Sequence, residues 1–572
     1  MRVVATAGHV DHGKSSLVLK LTGTDPDRFA EEKRRGLTID LGFAHTTLPS
    51  GEGISFIDVP GHVRFLRNML AGVGGIDACL FVVAATEGWK PQSEEHLRIL
   101  QLLGLRHGMI ALTKADLVDD EWLELQTLDV IDRVAGSFLA DAPIVPVSCT
   151  TGSGVEALVD ELDRLVERTR PAPDHDRPRL WVDRSFAAKG SGTVVTGTLT
   201  GGSLQVDEYI DVVPAGRSAR IRSIQSNGRT TPAIAAGHRV ALNLAGIDHH
   251  EISRGDGVLH LAQWRPSRRV DATLDVLQSL DHDVSRRGAY IAYFGSGEWP
   301  AKIRILGPDS IRPGQAGAIR LHLASALPLV RGDRYILRES GRNETVGGGE
   351  VLDVAPVLPA SKAAPDHSVE RLIAERRWTT VDDLLALTGE HVPPTIGAWV
   401  VSPPALAETT DELRSRVEAA GAIGLDIATL DERERTVLST LAEFRVDGGR
   451  AMAADARDEF AEHPVLEQLR AGGASPPDPT GADRTTLREL VRRGLLVERD
   501  GIHFHPSAVD QAARTAAELL RHEPEGITMS QLRDALGVSR KYALPLANEL
   551  DARGITRRRG DLRIGGPRLG GV

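Results

Sequence analysis

Apolar positions along the chain follow three regimes in turn. From residue 1 to about 172, short β-rich runs (RVVATAG, GISFIDVP, CLFVVAA, MIALTKAD, PIVPVS) alternate with segments of helical spacing such as SEEHLRILQLLG and GVEALVDELDRLVER. That alternation predicts a mostly parallel sheet with helices on its faces. The Pro-rich stretch RPAPDHDRP (170–178) ends it. Over 178–266 and 267–357 the apolar positions recur with period two between Gly-rich turns, as in GTVVTGTLTGG, EYIDVVPAG, AYIAYF and DRYILRES, which predicts two antiparallel β-barrels. After a second linker, APVLPASKAAP (355–365), spacing of i, i+3, i+4 takes over in SVERLIAERRW, DRTTLRELVRRGLL, VDQAARTAAELLRH and TMSQLRDALG. Small strand-like pieces, VERDGIHFHP and TRRRGDLRI, punctuate these helices. Helices followed by a hairpin predict tandem winged-helix units at 366–427, 428–506 (degenerate or double) and 507–572, three or four in all. The Gly/Pro/Asp-rich segment 445–485 supports no assignment.

Bulk properties narrow the class. A chain of 572 residues is too long for one core. No apolar run approaches the ~20 residues of a membrane span, and MRVVATAGHVDHG reads as strand and loop instead of an export signal. Two cysteines make no disulfide framework, so a cytoplasmic protein with no membrane partner is expected. Cys79, in ACLFVVAA, reads as core. A net charge of −11 excludes indiscriminate coating of nucleic acid, yet the stretch from Arg540 onward carries eight basic against three acidic residues, a local +5.

The chemistry begins with GHVDHGKS, between a strand and a helix. Gly8 and Gly13 let the backbone of Gly8, His9, Val10, Asp11, His12, Gly13, Lys14, Ser15 and Ser16 turn its N–H groups onto phosphate oxygens. Lys14 adds charge at the β- and γ-phosphates, and Ser15 can ligate Mg²⁺. DVPGH then offers Asp58 to the metal and the Gly61 N–H to the γ-phosphate, while EEKRRGLTID supplies Thr38 as a further metal ligand. TKAD places Asp116 where a carboxylate can accept guanine N1–H and the 2-amino group, with the Lys114 stem against the ring. SCT, with Ser148 and Cys149, can turn a backbone N–H onto guanine O6, and Cys149 reads as a loop residue with no nucleophilic role. The cofactors expected are GTP/GDP and Mg²⁺. His249 and His250 read as a solvated turn.

GHVDHGKS, RRGLTID, DVPGH, TKAD and SCT, followed by two barrels, resemble the translational GTPases of the elongation factor Tu type over about 355 residues. Thr113 stands where most of those relatives have Asn, which braces the phosphate loop. That Thr, DRSFAAKGSGTVVTGTLTGG (183–202), AAGHRVALNLAGI and the winged-helix tail are similar to bacterial selenocysteine-specific elongation factors, a resemblance over nearly the whole chain. It implies a ribosome-stimulated GTPase in which His62 orients the attacking water behind an apolar gate of Val10 and Leu37. It also implies an aminoacyl pocket at Asp183, Arg184 and Arg239. Fixed positive charge there would accept an anionic selenolate and reject neutral serine. The implied partners are selenocysteinyl-tRNA, the ribosome and an mRNA hairpin, bound by a monomer. Ser539 would cap a recognition helix carrying Arg540, Lys541 and Tyr542, with Arg557, Arg558 and Arg559 leading into the wing. A general aminoacyl- or initiator-tRNA carrier and a GTPase-switched DNA-binding regulator are the alternatives.

Overall fold

A six-stranded sheet forms the first part of the computed structural model, which describes residues 1–27, 32, 34, 38–62, 65–72, 75–188, 190, 192–455 and 460–571. Its elements run β1 (Arg2–Ala7), α1 (Lys14–Thr22), β2 (Gly42–Thr47), β3 (Gly53–Asp58), α2 (Leu66–Gly72), β4 (Ala78–Ala84), α3 (Pro91–Leu102), β5 (Gly108–Thr113), α4 (Asp120–Val134), β6 (Ile144–Pro146) and α5 (Val155–Arg168). Strand order is β2-β3-β1-β4-β5-β6, parallel except for the β2–β3 edge pair. Period-two alternation splits β4 between two cores. Cys79, Phe81 and Val83 pack with Leu97 and Leu100 of α3 and Val130 and Val134 of α4. Leu80 and Val82 pack with Leu17 and Val18 of α1 and Leu158 and Leu162 of α5. Helices on both faces bring the loops after β1, β3, β5 and β6 out at one end of the sheet, where ligands bind in such folds.

Two barrels follow. In the first, strands Arg179–Ala188, Gly192–Thr200, Tyr209–Val213, Arg217–Ser226, His238–Ala245 and Gly257–Leu259 form a ring, closed where Tyr209–Val213 pairs with both Arg217–Ser226 and Gly257–Leu259. The second is closed by Ser267–Val276, Tyr290–Phe294, Gly297–Leu306, Ala316–Leu327, Arg334–Glu339 and Glu344–Asp353.

The chain divides into two compact units, Met1–Ser402 and Pro403–Val572, and the division falls inside the span expected to be one winged helix, 366–427. The cause is visible in the packing of helices Val369–Arg376 and Val381–Thr388. Leu387 joins the core of the second barrel. Arg376 donates to Asp353 at 2.9 Å, and Arg331 donates to the His367 carbonyl at 2.7 Å. Arg177, from the inter-domain linker, caps the second helix by donating to the Leu385 and Ala386 carbonyls at 3.1 Å each.

The second unit repeats helix and hairpin three times, with hairpins Phe444–Asp447/Arg450–Ala453, Val497–Arg499/Ile502–Phe504 and Thr556–Arg559/Leu562–Gly565. The unassigned stretch 445–485 takes in all of the first hairpin except Phe444, together with helix Pro464–Gly472. The last two sets share a core, because Phe504 and Ala474 pack with Val509, Leu532, Leu546 and Leu550. Among the described residues no helix is long and apolar enough to cross a membrane.

Candidate functional site

The loop from Gly8 to Gly13 is shaped by close approach. A Cβ on Gly8, at φ +127°, would lie 2.1 Å from the Val82 carbonyl oxygen. Gly13 is the N-cap of α1, in the left-handed region at φ 83°. Two buried histidines brace the loop, His96 from α3 and His12 from within the loop itself. The Gly8 N–H donates to His96 Nδ1 at 3.1 Å, and burial pulls that imidazole down to about 3. His12 lies 3.3 Å from the Val82 carbonyl and is pulled by burial to about 4. Lys14 Nζ donates to the Gly8 and His9 carbonyls at 3.2 and 2.7 Å, and burial lowers it to about 8 against the opposing charge of Asp58, Asp11 and Asp27. A Cβ on Gly61 would meet Lys14 Nζ at 2.4 Å and the Val10 nitrogen at 2.6 Å, so only glycine lets this backbone come so near.

Oxygen ligands converge beside it. Ser15 Oγ donates to Asp58 Oδ2 at 2.6 Å, Thr38 Oγ1 donates to Asp27 Oδ1 at 2.9 Å, and the two hydroxyl oxygens stand 2.8 Å apart. Each hydroxyl has one proton and spends it on a carboxylate, so the Ser15–Thr38 contact has none to share. Burial raises both Asp58 and Asp27, against the opposing pull of Lys14 on Asp58 and of the Thr38 hydrogen bond on Asp27. A hard divalent cation fits this donor set. Asp27 was not evident from sequence.

At the base end, the Thr113 hydroxyl donates to the His12 carbonyl at 2.6 Å, so Thr ties β5 to the phosphate loop. Lys114, in the left-handed region at φ 57°, donates to Glu87 at 3.1 Å; sequence reasoning missed Glu87. Asp116 is exposed on the turn Ala115–Leu117. The N–H of Ala115 reaches the Val147 carbonyl at 3.4 Å and joins this turn to the loop holding Ser148. Ser148 is spent internally, donating its N–H to Ser153 O and accepting from the Thr151 N–H. Cys149 packs against the α5-side core, and burial pushes its thiol up. The ring of His62 lies 5.9 Å from that of Phe65. Val10 donates its N–H to Gln92 at 3.4 Å, whereas Leu37 lies outside the described residues.

A second site lies between β2 and the first barrel. Arg239 makes a two-pronged ion pair with Asp183, at 2.6 and 2.9 Å, and Thr196 donates to the same carboxylate at 2.7 Å. The Arg239 guanidinium lies 3.6 Å from the centre of the Phe43 ring, and that of Arg184 lies 4.5 Å from it. Arg184 also donates to the Leu41 carbonyl. Phe43, Thr196, Arg184 and Arg239 line a cavity of about 230 Å³. Asp183 faces Arg239, not Arg184, and Phe43 had no sequence signal beyond an aromatic in an edge strand.

In the last helix–hairpin set, Thr528 and Gln531 form a capping box for helix Met529–Leu536, and helix Arg540–Ala552 follows after Gly537. Ser539 occupies the N-cap position, but its hydroxyl makes no cap hydrogen bond, contrary to expectation; its carbonyl accepts from the Tyr542 and Ala543 N–H groups. Arg540 and Lys541 are exposed, with Lys541 Nζ 5.2 Å from the Tyr542 ring centre. Arg557, Arg558 and Arg559 are exposed on the wing. Arg563 and Arg553 are not part of this surface: they pair with Asp551 at 3.1 Å and Glu549 at 2.9 Å. His249 and His250 sit in a short helical turn capped by Asp248.

Comparison with known proteins agrees with this architecture. Residues 1–168 match the elongation factor Tu GTP binding domain family, and residues 518–564 match the family described as elongation factor SelB, winged helix. The chain is 37% identical to a selenocysteine-specific elongation factor from Desulfomicrobium baculatum, over 89% of this chain and 75% of the relative. It is 31% identical to one from Escherichia coli (strain K12), over 98% of each. The crystal structure of a bacterial selenocysteine-specific elongation factor, EF-Sec, superposes with a TM-score of 0.73 at 26% identity over 99% of both chains. With a full-length relative above 30% identity and a phosphate loop, two barrels and winged helices in the same order, the chain belongs to the selenocysteine-specific elongation factors and is a translational GTPase.

Proposed function

We propose that this protein, as its GTP form, carries selenocysteinyl-tRNA to the ribosome at UGA codons while its C-terminal winged helices hold an mRNA hairpin, and that it works as a cytoplasmic monomer. The observation that carries the reading is the cavity beside Phe43, a small space walled by the guanidinium groups of Arg184 and Arg239. Guanidinium groups stay charged at any physiological pH, and low local dielectric strengthens their attraction for an anion. A selenolate gains from that field and a serine hydroxymethyl does not. Asp183 holds Arg239 in place by its bidentate pair and keeps the empty pocket from being a bare buried charge.

In the GTPase part, Lys14 and the loop N–H groups neutralise the β- and γ-phosphates, and Gly61 closes over the γ-phosphate. Ser15, Thr38 and Asp58 would hold Mg²⁺, which would supply charge neutralisation at the phosphates. Asp116 accepts from the guanine edge, Lys114 flanks the ring, and the Ser148–Cys149 backbone faces O6. His62 positions the attacking water once the ribosome aligns it. Loss of γ-phosphate contacts at Thr38 and Gly61 releases the segments that face the barrel, and the tRNA leaves.

Arg540 and Lys541 support the RNA-binding part. They occupy the first turn of their helix, where the helix dipole disfavours cations by about 0.3–1 kcal/mol, so helix stability does not account for them. Phosphate on the hairpin does. The test of the pocket is the ratio of dissociation constants for Ser- and Sec-charged tRNA: R184A and R239A should each bring the wild-type preference close to unity. An unchanged ratio in both variants would refute the assignment.

A further inference from the structure

Arg254 lies between the turn His249–Glu251 and strand Gly257–Leu259 of the first barrel, and each branch of its guanidinium engages a different part of the molecule. Its Nε–H donates to the backbone carbonyl of Asp183 at 2.9 Å. Its Nη1 donates to Asn68 Oδ1 at 2.7 Å, and its Nη2 donates to Asp40 Oδ1 at 2.8 Å. Asn68, on α2, in turn donates its Nδ2 to the Ile39 carbonyl at 2.7 Å. Asp40 and Ile39 directly follow Thr38, whose hydroxyl stands 2.8 Å from Ser15 in the phosphate loop. Asp183 is the residue whose carboxylate grips Arg239. Arg184 shares the same neighbourhood, with Nε 3.7 Å from Asp40 and a hydrogen bond to the Leu41 carbonyl.

We propose that Arg254 is the positioning residue that makes the aminoacyl pocket answer to the state of the nucleotide site. It is a three-way clasp joining the segment after Thr38, helix α2 after Gly61, and the backbone of Asp183. When Thr38 and Gly61 are held, Asp40 and Asn68 present their oxygens together and Arg254 fixes Asp183 and, through it, Arg239. When residues 38–41 withdraw, Arg254 and Arg184 both lose their partners on that segment, and both sides of the pocket are released together. Arg254 does this with donors on three separate nitrogens of a planar fork; lysine has three N–H donors on one nitrogen and cannot span acceptors set that far apart. The inference rests on the reading of Asp183, Arg184 and Arg239 as the aminoacyl pocket.

The experiment measures the affinity of the full-length protein for Sec-charged tRNA in its GTP-analogue and GDP forms, for wild type, R254A, R254K and D40N. Coupling between sites commonly amounts to about 5–150-fold. The GTP-over-GDP preference should fall by at least about fivefold in R254A, equally in R254K, and in the same direction in D40N. By reciprocity, the tightening of GTP-analogue binding caused by Sec-charged tRNA should fall by the same factor, read with a fluorescent nucleotide. If R254A weakens tRNA binding equally in both forms, or leaves the preference at its wild-type value, Arg254 is a static brace and the proposal is overturned while the tRNA reading stands. If wild type itself shows no preference for GTP over GDP or for Sec over Ser, both fall together.

Discussion

Thr113 illustrates what a single hydroxyl does at the nucleotide site. Its bond to the His12 carbonyl spans 2.6 Å between β5 and the phosphate loop, and both residues are buried. Thr113→Val keeps the shape and leaves that carbonyl unpaired, at a cost of about 1–3 kcal/mol. Guanine nucleotide affinity should accordingly fall by roughly fivefold or more in a fluorescence titration, with Thr113→Ser close to wild type. The phosphate loop and its neighbour Asp58 could be located in the sequence because each sits in a short motif beside a strand, and the structure brings Lys14, Ser15 and Asp58 together. His96, Asp27, Glu87, Phe43 and Arg254 could not, since each acts through a neighbour far along the chain: His96 reaches Gly8, and Arg254 reaches Asp40 and Asn68. A histidine on an apolar helix face looks the same in sequence whether it fills core or pins a loop.

Among elements, the buried central strands were readable because their near-continuous apolar runs admit little else. Edge strand β2 has a burial pattern that weakens toward its end and follows a charged loop, and no sequence reading assigned it. Helix Arg484–Arg492 gives this scale its prediction. Glu489 is buried and accepts from Arg492 and Arg493 at 2.8 Å each, and Arg493 continues to the Ala422 carbonyl at 3.3 Å, joining this helix to the preceding set. The hydrogen bond from Arg492, with that from Arg493, holds Glu489 down to about 2. A carboxyl depressed on folding contributes stability above its unfolded value of about 4.3, and that contribution is lost as pH falls towards about 2. E489Q should therefore melt below wild type at pH 7, and the gap should narrow steadily as the pH is lowered from about 5. A constant gap across that range would contradict the role given to the charge.

At the scale of the whole molecule, composition marked the two linkers, but it could not show where packing would cross them. Leu387 in the barrel core and Phe504 in the terminal core each bind a segment to its neighbour. The local +5 survives internal pairing, because Arg553 and Arg563 cancel against Glu549 and Asp551 and the excess falls on the remaining cations. The cations left exposed include Arg540, Lys541 and the wing arginines 557–559. Replacing Arg557, Arg558 and Arg559 with alanine in the full-length chain should weaken binding of a selenoprotein mRNA hairpin. It should also flatten the salt dependence by about 0.7 per lost phosphate contact, with GTP binding unaffected. The measurement that bears most directly on the account is protection of the aminoacyl ester by the intact protein, comparing Sec-charged with Ser-charged and bulk aminoacyl-tRNA in GTP and in GDP. Strong protection of the Sec ester alone, and only with GTP, is the result expected. Equal protection of all esters, or equal protection in the two nucleotides, would contradict it.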